Sequence, residues 1–169
     1  MLKADLRRLE QKGRLAIDAA LPTDAVLWEH TGIEPAEPLL VRLGLQPAGK
    51  DVIVRGTLSG AAQLSCRRCL KDVAIPIDEE VAWFFRHGVS EIEAQTEEVY
   101  ALPARGEELD LTDAVREHLM LAVPQFALCE EECRGLCPHC GTNLNEEQCG
   151  CATNLVDDRW AALKKLRTE

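Results

Sequence analysis

Residues 39–85 read LLVRLGLQPAGKDVIVRGTLSGAAQLSCRRCLKDVAIPIDEEVAWFF. The stretch is rich in β-prone residues, and Gly, Pro, Lys and Asp punctuate it. Four β-prone runs result, Leu39 to Leu45, Val52 to Leu58, Ala61 to Cys66 and Val73 to Phe85. They predict an antiparallel meander or partial barrel as the core of an α+β fold with few helices. Gly44-Leu-Gln-Pro-Ala-Gly49-Lys50 has the spacing of a phosphate-binding loop. Asp51 stands where that loop needs Ser or Thr for magnesium, and the strand-like Val52-Ile-Val-Arg follows where it needs a helix. A Pro/Gly hairpin accounts for the stretch better.

Outward from this core the signals weaken. In the segment Leu2 to Leu21, Leu2, Leu6, Leu9 and Leu15, with bases between them, predict either a short amphipathic helix begun before Gly13 or a frayed, solvated start. Gly88 to Asp113 holds eight acids against the single base Arg105 and reads as a solvated excursion, with Val99 to Leu102 able to return as a strand. Asp110 or Thr112 then caps a helix to about Val123, with Leu111, Val115, Leu119 and Ala122 as its apolar stripe and Pro124 as its stop. Asp157 to Leu166 predicts a C-terminal helix carrying Trp160, Leu163 and Leu166 roughly on one face. The expected organisation is a β-rich domain over residues 1–128 and a cysteine-rich module with its helix over residues 129–169.

Eight cysteines fall in four close pairs: Cys66/Cys69, Cys129/Cys133, Cys137/Cys140 and Cys149/Cys151. The start, MLKADLRRLEQKGRL, lacks the apolar region of a signal peptide, and no stretch approaches the roughly 18 apolar residues that span a bilayer. A soluble protein of a reducing cytoplasm, without membrane contact, is expected. There such pairs are metal ligands more often than disulfides. Zinc takes four thiolates in a tetrahedron, and each pair offers two from one turn, so two structural zinc ions are predicted.

Cys137-Pro-His-Cys140-Gly141 has the form of a zinc knuckle, with Gly141 free to turn left-handed after it, and Cys149-Gly-Cys151 follows closely enough to complete a ribbon-like site. Cys66, Cys69, Cys129 and Cys133 are left for a second site that staples the meander to the helical region; mixed pairing across the sites is the alternative. Cys66-Arg-Arg-Cys69 also permits a redox dithiol, although that motif normally opens a helix after a strand. Eight thiols around two metals leave no open position for a catalytic water. His30, His87, His118 and His139 have no nucleophile or base arrangement around them, so neither an enzyme nor a small-molecule substrate is expected.

The chain carries 29 acids against 19 bases, a formal charge of −10. Each tetrathiolate zinc site adds −2, so two take the total to about −14. Sequence-independent RNA binding needs Lys and Arg to displace counterions. RNA contact would therefore need a local patch such as Arg67, Arg68, Lys71 and Arg134, and a basic protein partner suits the charge better. Hydrophobic residues make up 46% of the chain but aromatic ones only 4%, so Leu, Val, Ile and Ala fill a modest core that metal would reinforce.

Two strings carry a family resemblance. LSCRRCLKDVAIPI from Leu64 resembles the first signature of the YceD family, and ALCEEECRGLCPHCGTNLNEEQCGC with the tail DDRWAALKKL resembles its C-terminal signature. The resemblance runs from about Leu39 to Leu166, with both strings in the family's order. It implies a cytoplasmic, non-enzymatic ribosome-biogenesis factor needed for normal accumulation of large-subunit ribosomal RNA. The resemblance supplies no binding surface; it is the acidity that points to a basic ribosomal protein or maturation factor as partner, with ribosomal RNA itself reached only through a local basic patch. Shorter members of the family lack the last four cysteines, which implies two separate sites here.

Overall fold

The computed structural model describes residues 2–89, 99–103 and 108–151. Strand β1 (Lys3–Asp5) leads into helix α1 (Leu6–Lys12), then β2 (Leu15–Leu21), a 3-10 turn (Val26–Trp28) and the short β3 (Glu34–Pro35). The long strands β4 (Leu39–Ala48), β5 (Asp51–Ser65) and β6 (Asp72–Arg86) follow, then β7 (Val99–Ala101), β8 (Glu108–Asp110) and helix α2 (Thr112–Ala122). The fold is α+β, with a mostly antiparallel sheet ordered β2-β4-β5-β6-β7 and β3 on the flank of β5.

Alternation fixes the buried face. Leu39, Val41, Leu43 and Leu45 of β4 point inward with Val52, Val54 and Leu58 of β5 and Ile77, Val81, Trp83 and Phe85 of β6. Ala48 pairs with Asp51, leaving Gly49 and Lys50 as a two-residue hairpin loop with Gly49 at φ 68°. The phosphate-loop spacing is thus a hairpin.

The two runs expected on either side of Ser59-Gly60 are one strand. Ser59 and Gly60 stay in register with Asp78 and Ile77, and the side chain of Leu39 fills the space beside Gly60. Gly56 has a stricter role: a Cβ there would collide with the carbonyl of Arg42 on β4, so only glycine lets the two strands approach.

The N-terminus is ordered rather than frayed. Asp5 Oδ1 accepts from the amides of Arg7 (2.8 Å) and Arg8 (3.1 Å), Gly13 ends α1 at φ 69°, and Leu2, Leu6 and Leu9 are buried. β2 was not expected; it pairs along its whole length with Leu39–Leu45 of β4. β1 pairs with β8, and Lys3 Nζ lies 3.6 Å from Glu108 Oε2 and 4.0 Å from Asp110 Oδ2. This end of the acidic stretch is therefore built into the fold, with Leu109 and Leu111 buried. Residues 99–101 do return as a strand, but parallel to β6. Residues 90–98 and 104–107 of that stretch, and the expected helix over Asp157 to Leu166, lie outside the described residues.

Asp110 Oδ1 accepts from the Thr112 amide (2.9 Å) and hydroxyl (2.6 Å) at the start of α2, and the chain turns extended at Val123 before Pro124. Ala114, Val115 and Leu119 bury the inner face of α2. Arg116 binds the carbonyls of Leu27 (3.1 Å) and Val26 (3.2 Å), tying the 3-10 turn to this helix. Among the described residues no helix is long and apolar enough to cross a membrane.

Candidate metal centres

Cys66 ends up just beyond β5, and the chain reverses through Arg67-Arg68-Cys69-Leu70 before β6 begins. The Leu70 amide donates to the Cys66 carbonyl (2.9 Å) and the Cys66 amide to the Lys71 carbonyl (2.7 Å). The same ring recurs downstream: Gly141 donates to the Cys137 carbonyl (2.9 Å) and Cys137 to the Thr142 carbonyl (2.8 Å). Gly141 stands at φ 76°, the left-handed conformation expected of it, and Leu70 occupies the equivalent position at φ 61°. Two copies of one knuckle are present, and neither opens a helix.

The chain after α2 then comes back to the first knuckle. Ala127 forms a parallel bridge with Cys66 and accepts from the Arg67 amide (2.9 Å). Arg68 Nη1 reaches the carbonyls of Glu131 (3.1 Å) and Cys133 (2.9 Å), while its own carbonyl accepts from the Leu136 amide (3.2 Å). Gly135, at φ 75°, lies against Arg68 so closely that a Cβ would stand 3.0 Å from the Arg68 carbonyl oxygen. Arg68 is thus a brace between β-hairpin and cysteine loop. Arg67 instead lies over the Phe126 ring at 3.6 Å.

All eight cysteines are unbridged, and their sulfurs gather in two groups, Cys66/Cys69/Cys129/Cys133 and Cys137/Cys140/Cys149/Cys151, each within 4.8 Å. These are the groups into which the spacing divided them. Cys66 Sγ is 3.8 Å from Cys133 Sγ, and Cys69 Sγ is 3.6 Å from Cys129 Sγ. Zn–S bonds of about 2.3 Å in a tetrahedron put sulfurs about 3.8 Å apart, so the donor set has the size such an ion needs. Cys66, Cys69 and Cys133 are buried with Val73 and Leu136 around them; in the second group Cys137 is buried and Cys140 exposed.

The surroundings favour charge on part of each group. The Cys69 amide, helped by those of Cys129 and Arg68, pulls the Cys66 thiol down to about 6 against its burial. The Thr142 hydroxyl and amide do the same for Cys140, also to about 6. Their neighbours carry the protons: Cys133, then burial, pushes Cys129 up to about 12, and Cys140, then burial, pushes Cys151 to about 12. A dication would displace those protons and bind all four sulfurs as thiolates, leaving a net −2 at each site.

The two groups share a residue that the spacing did not single out. Asn145 Nδ2 donates to Cys133 Sγ (3.3 Å) in the first group, and Asn145 Oδ1 accepts from the Arg134 amide (2.7 Å), although Asn145 sits in the loop closing the second. The polar Asn143-Leu-Asn145 turn was its only trace in the sequence. His118 is accounted for structurally, 3.5 Å from Glu79 and edge-on to Trp83.

No solved structure matches this chain. An uncharacterized protein of Mycobacterium tuberculosis (strain ATCC 25618 / H37Rv) is 28% identical over 138 residues, 82% of this chain and 66% of that protein. The chain thus spans just under two thirds of the mycobacterial relative. The uncharacterized protein YlbN of Bacillus subtilis (strain 168) is 30% identical over 142 residues, covering 81% of this chain and 78% of YlbN. A chloroplastic protein of Arabidopsis thaliana named large ribosomal RNA subunit accumulation protein YCED homolog 1 is 31% identical over 67 residues, 40% of this chain and 21% of its own length. The family described as "Large ribosomal RNA subunit accumulation protein YceD" matches residues 54–167, a span that contains all eight cysteines. The chain belongs to the YceD family.

Proposed function

We propose that this chain is a non-enzymatic ribosome-biogenesis factor of the cytoplasm that supports accumulation of large-subunit ribosomal RNA. Its cysteines Cys66, Cys69, Cys129, Cys133, Cys137, Cys140, Cys149 and Cys151 hold two structural zinc ions. The family match over residues 54–167 carries this reading. When bound, each ion cross-links four thiolates and supplies folding energy rather than a reactive water. The chain's own residues set the sites up: two knuckles present the thiols, Arg68 anchors the loop that brings Cys129 and Cys133, and Asn145 steadies Cys133. In this reading residues 129–169 form a zinc-ribbon-like module on a β-rich core of residues 1–128.

A basic ribosomal protein or maturation factor is the partner that a formal charge of −10 would attract. Depletion of the protein in its own cells should lower large-subunit ribosomal RNA relative to small-subunit RNA, and crosslinking with mass spectrometry should recover basic ribosomal or maturation proteins. Unchanged ribosomal RNA after depletion would sink the proposal. The competing thiol-redox reading draws on the low pKa of Cys66, but Cys66 is fully buried and no helix follows Cys69. Zinc-loaded thiols that resist alkylation would dismiss it.

A further inference from the structure

The RNA contact surface suggested by spacing, Arg67, Arg68, Lys71 and Arg134, is weakened by its own surroundings. Arg68 is spent on two carbonyls, Arg67 lies on Phe126, and Glu130, Glu131 and Glu132 adjoin the site. A different basic surface survives at the other end of the sheet. Lys3, Arg8, Lys12 and Arg14 line an open cleft of about 710 Å³ whose floor is the start of β2 and residues 44–46 of β4. Among the described residues, Asp5 and Glu108 are the acids that oppose them there.

Both acids are already engaged. Asp5 caps α1 through its carboxylate, and Glu108 pairs with Lys3. The side chains of Arg8, Lys12 and Arg14 have no ion pair or hydrogen bond among the described residues, and all three are exposed. Arg8 and Lys12 are four apart on one helix and so share a face, with Arg14 continuing the line just past Gly13. In a chain of net charge −10, three unspent cations gathered along one cleft make a local positive surface suited to an anionic ligand. The cleft is far larger than a single phosphate requires, and β2, which ends the sheet order among the described residues, contributes to its floor.

We infer that this cleft binds the phosphate backbone of RNA without reading its sequence, through Arg8, Lys12 and Arg14 with Lys3 at the margin. The inference rests on the proposed role in ribosomal RNA accumulation and adds to it a direct RNA contact beside the protein partner. Three to four phosphate contacts predict a salt slope of about −2 to −3 for single-stranded RNA, a loss of about 20- to 50-fold between 50 and 200 mM salt.

The test uses the full, zinc-loaded protein and a fluorescent 20-nucleotide oligouridine, with a 20-residue polyglutamate peptide as the acidic-protein probe. Arg8→Glu, Lys12→Glu and Arg14→Glu together should weaken oligouridine binding at least 30-fold while thermal unfolding stays near that of the parent. Arg67→Glu with Arg134→Glu should change it less than threefold. The inference is overturned if the parent protein does not bind oligouridine at 50 mM salt, if only the Arg67/Arg134 pair matters, or if polyglutamate binds as tightly as the RNA. Returned to depleted cells, the parent protein must restore large-subunit ribosomal RNA, or the functional reading itself fails. If it does and the RNA-binding-deficient triple variant restores the RNA equally well, that reading stands and the role assigned to the cleft falls.

Discussion

Leu70 is the one residue in either knuckle that sits in a conformation its side chain resists. At φ 61° and 65% exposed, it pays for the left-handed turn that Gly141 makes freely in the second copy, with little burial in return. Leu70→Gly should therefore raise stability by about 0.5 kcal/mol after glycine's unfolded-state entropy is allowed for, and Leu70→Val should lower it by about 1 kcal/mol. Urea midpoints at saturating zinc would read both. Gly56 is the opposite case, since a Cβ there meets the Arg42 carbonyl; Gly56→Ala should cost about 3 kcal/mol on the same measurement. Asn145 gives a residue-scale test of the link between the metal groups. Because its amide holds Cys133 Sγ, Asn145→Ala should weaken the first site's zinc affinity about 10-fold in chelator competition, with the second site moved less.

At the level of elements, the two cysteine groups differ in what they hold. The first joins the β5–β6 turn to the segment after α2, whereas the second closes a loop of fewer than twenty residues on itself. Cys137→Ser should drop zinc content from two ions to one and leave amide exchange in β4–β6 protected; Cys66→Ser should drop it equally and loosen those strands as well. Loss of strand protection in Cys137→Ser would contradict that division. The knuckles were legible in the sequence because their information is local: two cysteines, three intervening bonds and a left-handed turn lie within five residues. So was most of β4, a β-prone run that Gly and Pro close off. β2 was not, because LAIDAAL offers small alanines where an alternating pattern needs contrast, and its partner rather than its own composition makes it a strand. The break expected at Ser59-Gly60 failed for a related reason: strands on both sides hold the glycine in register. The brace role of Arg68 and the free state of Arg8 depend on contacts far along the chain, which no spacing encodes.

The whole molecule should carry two zinc ions per chain by elemental analysis, and a chelator should lower its unfolding temperature in proportion to the metal removed. Thiolates take up protons as pH falls, so the metal-dependent part of the stability is present at neutral pH and lost on acidification. Metal release and the drop in unfolding temperature should therefore follow the same acid titration. Closure at the opposite end follows another logic, that of synthesis order. Among the described residues β1 pairs with β8 alone, Lys3 opposite Asp110, so β1 is synthesised well before the strand that completes it. At roughly 5–20 residues per second, the intervening hundred or so residues keep it waiting on the order of 5–20 s. For that interval Lys3 and the basic helix α1 that follows it are without the acidic strand that will hold Lys3.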